Sequence, residues 1–107
     1  MAQIVVNTAQ VLEVQSGSTT VVLDKQASTA TLQRKFIFIS LKPAVVPLSD
    51  LDDIRLDVGV DPASRAELYG IMLKLGSGGA WVLNANDKSD AQQAVGALRA
   101  FLGMPQA

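Results

Sequence analysis

Five aspartates, Asp50, Asp52, Asp53, Asp57 and Asp61, fall close together, and carboxylates at that density could hold a divalent cation or share acid–base work. A calcium loop needs several oxygen ligands converging around a sharp glycine turn. No glycine lies inside Asp50 to Asp57, and Asp53 and Asp57 would share the outward face of a strand. Solvated turn and edge charges are therefore expected. Gly76-Ser77-Gly78-Gly79 has the composition of a phosphate cradle, but that chemistry needs a strand leading into a helix N-terminus. Here strand-like sequence lies on both sides, so a tight hairpin is expected. Ser16, Ser18, Ser49 and Ser64 sit in turn or cap contexts, without a Gly-x-Ser-x-Gly elbow. The chain has no histidine and no cysteine, so it has no imidazole base, thiolate or disulfide, and none of the usual zinc sites. No catalytic residue, metal or cofactor is expected, and the protein is not read as an enzyme.

Charge narrows the partners. Nine basic residues oppose ten acidic ones, for a net charge of -1, and neither sign forms a block. Nucleic acid is not an expected partner, because phosphate binding needs concentrated positive charge. Membrane contact likewise draws no support from charge. Arg34, Lys35 and Lys42 make at most a small basic patch, best read as ordinary solvated charge.

Apolar residues say more. Phe36, Phe38, Tyr69, Trp81 and Phe101 would line a pocket in a carrier of lipid or another small apolar ligand. In a narrow barrel the same residues fill the core, which is the expected outcome. Val5, Val22, Ile37, Ile39, Val45 and Val46 are mostly out of phase with the inward set. Gathered on one side of a sheet they would form an interface, through which the chain would form a homo-oligomer or bind a protein partner.

The elements that would position these residues are mostly strands. Ile4 to Gln15 is β-branched and reads as a strand bent near Thr8 to Gln10. Ser16-Gly17-Ser18-Thr19 suits a type II′ turn with glycine first, which sets Val14 opposite Val21 and Leu12 opposite Leu23. A four-residue loop at Lys25 to Ser28 then places Val21 opposite Leu32 in a strand running from Thr29 to Leu41. Ala44 to Leu48 is a short extended piece. Ile54, Leu56, Val58 and Val60 alternate with polar or small residues as a half-buried strand, and Tyr69, Ile71, Leu73 and Leu75 mark the next. An odd loop at the second hairpin pairs Leu73 with Trp81 or Leu83. From Ser89 to Gly103, the apolar residues Ala91, Ala94, Val95, Leu98, Phe101 and Leu102 recur at helical spacing. Ser89 with Gln92 has the form of a capping box, and Gly103 suits a left-handed close.

One domain over residues 1–107 is expected, of the α+β class and mainly β. Its six or seven antiparallel strands would form a pleckstrin-homology-like (PH-like) barrel capped by one C-terminal helix. Pro47-Leu48-Ser49-Asp50-Leu51, Ile54, Leu56, Tyr69 to Leu75, Trp81 to Leu83 and Ala97 to Gly103 resemble small uncharacterised bacterial domains of that PH-like fold. These motifs are structural, and the resemblance implies no catalytic or binding residues. Such domains often follow membrane-spanning helices, whereas no apolar run here approaches the roughly 18 residues that spanning requires. A cytoplasmic, non-catalytic interaction module is the expectation.

Overall fold

The computed structural model describes residues 2–36, 39–40 and 42–105. The stretch expected as one bent strand turns back on itself instead. β1 (Ala2–Asn7) and β2 (Val11–Ser16) pair antiparallel around Thr8-Ala9-Gln10. Thr8 makes the turn: its Oγ1 accepts from the Val11 N–H at 3.0 Å, and its own N–H donates to the Val11 carbonyl at 2.9 Å. A short hydroxyl side chain that bonds its own backbone turns the bend into a reversal.

The next hairpins follow the expected register. β3 (Thr19–Asp24) sets Val21 against Val14 and Leu23 against Leu12 across a two-residue turn. Gly17, at φ 59, takes the left-handed position which that turn demands. β4 (Thr29–Phe36) sets Leu32 against Val21 after the loop Lys25 to Ser28. Asp24 organises that loop by accepting from the N–H groups of Gln26 and Ala27 at 2.9 and 3.1 Å. Leu12, Val14, Val21, Leu23 and Leu32 all face inward and are buried.

β4 ends five residues before the expected Leu41. β5 (Ile39–Ser40) folds back onto Phe36 and Lys35, and β6 (Ala44–Pro47) pairs with Leu32 back to Thr29. A 3-10 turn at Leu48–Asp50 leads into β7 (Leu51–Val60), which pairs with β8 (Glu67–Leu75). β7 begins earlier than the alternation from Ile54 suggests. Leu51 is buried opposite Leu75, and a shift in register at Asp52 carries the strand across its polar start. β9 (Ala80–Asn84) sets Trp81 against Leu73, as an odd loop requires.

α1 (Lys88–Leu102) closes the chain. Its cap is Asp87, two residues before the expected Ser89. The Asp87 carboxylate accepts from the Asp90 N–H at 2.8 Å, and Asp90 reaches back to the Asn86 N–H at 3.0 Å. An aspartate pair three apart thus performs the exchange that a capping box makes with serine and glutamine. Gly103, at φ 73, ends the helix as expected. Ala91, Ala94, Val95, Leu98 and Phe101 form its buried face, which packs on β7 and β8 and also on β1 and β2.

The expected barrel is not what forms. The strands make two antiparallel sheets: one of β1 to β6, with β4 bordered by both β5 and β6, and one of β7-β8-β9. Because β5 and β6 occupy the outer edge of β4, that edge is closed to β7. On the other side the sheets are joined by a side chain. Buried Ser16 donates from its hydroxyl to the Asn84 carbonyl at the end of β9. Both sheets and the helix share one apolar core.

Candidate functional site

Three of the five aspartates, Asp50, Asp53 and Asp61, are engaged in separate places, each with partners in the chain itself. Asp50 grips the glycine-rich loop: its carboxylate accepts from the Ser77 N–H at 3.0 Å and the Ser77 hydroxyl at 2.8 Å. Its carbonyl accepts from the Gly76 N–H at 2.7 Å. Ser77 is thus spent on the chain's own carboxylate, and the Gly76 and Gly78 N–H groups on the Asp50 and Leu75 carbonyls. Asp61 closes a turn by accepting from the Ala63 N–H and the Ser64 hydroxyl, both at 3.0 Å. Among the described residues no cluster of three or more metal-ligating side chains occurs.

Asp53 joins the only extended polar network that crosses between elements among the described residues. It pairs with Arg55 on its own strand and with Arg99 of α1, whose Nη2 donates at 2.7 Å. Arg99 is largely covered; its Nε donates to the Ile54 carbonyl and its Nη1 to the Pro105 carbonyl, both at 2.8 Å. One planar guanidinium thereby ties the last helical turn, the residues after it and the start of β7 together. This is anchoring.

Arg34 and Lys42 do come together. They flank a shallow depression with Leu32 and Ala44. Register continued from Leu32–Ala44 sets the two cations across from each other, both exposed, while Lys35 is on the opposite side of β4. Of the aromatics, Trp81 and Phe101 are buried and Tyr69 packs against the core at half burial. Phe101 also borders two open surface depressions, each beside Lys25. The Lys25 ammonium lies over the face of the Phe101 ring, 4.5 Å from its centroid. Phe38 lies outside the described residues.

The candidate interface residues do not form one patch. Val22 and Val45 share the outward face of the first sheet, in one cross-strand row through Thr31. Val46 is opposite Ala30 and packs inward on the core. Neighbouring residues on a strand point to opposite faces, so Val45 and Val46 cannot both line one surface. Val5 is exposed beside a register shift in β1. Ile39, at 65% exposure, is opposite Phe36 and so falls on the other face of the sheet from Val22. Ile37 lies outside the described residues.

A second apolar surface was not anticipated. The β7–β8 hairpin runs on past the end of β9: Ala85 bonds Tyr69, and among the described residues no strand pairs with Leu68 and Glu67 on that side. Val58 and Val60 therefore project from the hairpin uncovered, at 52% and 61% exposure. Alternation put both on the core side. Comparing strand lengths would have shown that the core side ends before they are reached.

No family model matches this chain, nor does any curated protein or solved structure match it significantly. Among the described residues no helix is long and apolar enough to cross a membrane. Function must accordingly be argued from the surface itself.

Two carboxylates report on this polar scaffold. The Arg55 hydrogen bond, more than any other influence, holds Asp53 below the ordinary value of 3.8, and the Ala63 N–H and Ser64 hydroxyl do the same for Asp61. With folded values below unfolded ones, the unfolded chain binds more protons in acid. The stabilisation is complete above the unfolded value and is lost as pH falls through the folded ones. The urea midpoint should hold steady down to about pH 5 and then decline. In the Asp53→Asn/Asp61→Asn variant that decline should be visibly shallower; an unchanged slope would assign acid sensitivity to other groups.

Proposed function

We propose that this protein is a non-catalytic interaction module of PH-like architecture, which self-associates or binds a protein partner. The carrying observation is a contrast. Asp50, Asp53, Asp61, Ser77 and Arg99 bond to the chain itself, whereas Val45, Val58, Val60, Leu68 and Val82 are each at least half exposed. Single exposed aliphatics are normal, but several large ones on so small a surface favour association. The PH-like reading is supported by two antiparallel sheets and a C-terminal helix that packs on both. Light scattering coupled to size-exclusion chromatography tests the self-associating form. The average mass should rise above that of one chain as concentration increases into the range of about 0.1–1 mM. A constant single-chain mass throughout would exclude it and leave only a foreign partner.

A further inference from the structure

We propose that β7 is a dimerisation strand, to which β7 of a second copy adds antiparallel with Val58 on the two-fold axis. This rests on the self-association reading above and specifies its surface. Alternating hydrogen bonds decide which residues of β7 are free. Leu75 donates to the Gly79 carbonyl and Tyr69 accepts from the Ala85 N–H, the residues that flank β9, so the odd-numbered residues of β8 turn towards β9 and the even-numbered ones towards β7. In β7, Arg55, Asp57 and Gly59 accordingly turn to β8, while Ile54, Leu56, Val58 and Val60 turn outward.

The chain protects half of that edge. The Ile54 N–H is taken by the Asp53 carboxylate at 2.9 Å, and the Ile54 carbonyl by Arg99 at 2.8 Å. Beyond it, the outward N–H and C=O groups of Leu56, Val58 and Val60 meet no partner among the described residues. Natural sheets blunt such edges with lysine, proline or a covering element. From Leu56 to Val60 there is no lysine, proline or covering element among the described residues, the single charge is Asp57 on the opposite face from the valines, and Pro62 arrives only after the strand has ended.

Register then selects the arrangement. With Val58 facing itself, Leu56 faces Val60 of the second copy and the reverse. All three free positions are used, giving about six backbone hydrogen bonds. On one face Leu56, Val58 and Val60 meet only each other. On the other, Arg55 lies opposite Asp61 of the second copy, twice by symmetry, and Asp57 lies opposite a glycine. Centring on Leu56 would need the occupied groups of Ile54. Centring on Asp57 would also need Ile54 and would set aspartate against aspartate. Centring on Gly59 would call on the missing N–H of Pro62 and oppose Asp57 to Asp61.

A chain without cysteine allows a direct test. Facing residues of this kind lie about 5.5 Å apart at Cα, within disulfide range. Val58→Cys should oxidise to a covalent dimer at least ten times faster than Val45→Cys, whose site is equally exposed but on the other sheet. Val58→Lys and Val58→Glu should each be monomeric and should form a heterodimer when mixed. Equal oxidation rates for the two cysteines, or no heterodimer, would overturn the β7 seam. If the unmodified chain is still dimeric in that case, self-association survives and only its surface is reassigned. If it is monomeric at every concentration, both fall. Capture of an extended foreign peptide on β7 in place of a second copy would likewise overturn the homodimer.

Discussion

Replacing Leu98 with alanine is expected to lower the free energy of unfolding by about 3–5 kcal/mol, a large share of the roughly 5–15 kcal/mol that holds a domain folded. Leu98 is fully buried on the helix face that also carries Ala91, Ala94, Val95 and Phe101. Its loss removes transfer energy and leaves a cavity beneath a helix that Arg99 holds in place, so collapse into the gap is restricted. The melting temperature should drop by more than about 10 °C. Leu102, only half-buried on the same helix, gives the comparison: Leu102→Ala should cost distinctly less. Equal effects at the two positions would mean that the helix is not seated by the face described.

That the helix and three of the hairpins could be anticipated has a local cause. Turn chemistry at Gly17 and the loop before Thr29 each admits one register that keeps apolar residues on one face, and the glycine-rich loop admits two that do so, pairing Leu73 with Trp81 or Leu83. Helical spacing from Ala91 to Phe101 is equally local. Expectation failed where two local signals were equivalent. Asp87 and Ser89 are both good caps, and only the reciprocal bonds of Asp90 distinguish them. Thr8 could bend a strand or reverse it, and pairing of β1 with β2 decided the matter.

The surface was less legible, for a different reason. Alternation tells which side a residue faces but not whether anything covers that side. Val58 and Val60 continue the buried phase of Ile54, yet β9 stops short of them. Alternation separates Val45 from Val46, but which of the two faces inward is decided by the pairing of β6 with β4, a contact between segments that carry no mutual signal. Barrel closure failed on the same fact, since β6 fills the edge that closure required. Nor does composition reveal that the aspartates are committed; Asp50 reaches a loop 27 residues away.

Gly70→Ala should be destabilising by about 1–3 kcal/mol, against the usual sign. Alanine for glycine within a strand ordinarily gains, because it restricts the unfolded chain and supplies a side chain to pack. At Gly70 the added Cβ would stand 2.7 Å from the Leu83 carbonyl oxygen, with Val82 Cγ1 at 3.7 Å and Asp57 Cβ at 3.8 Å behind it. The obstacle is backbone, so β9 must move as a unit. β9 is poorly free to do so, since Asn84 accepts from Ser16 on the first sheet and Ala85 bonds back to Tyr69. A shift there strains the joint between the two sheets and the entry to the helix. Gly59→Ala, on the neighbouring strand with open space at its Cβ, should stay within about 0.5 kcal/mol of the parent. Urea unfolding of the two variants separates the explanations: if Gly70→Ala is as stable as Gly59→Ala, the close approach of β8 to Leu83 is not what constrains that position.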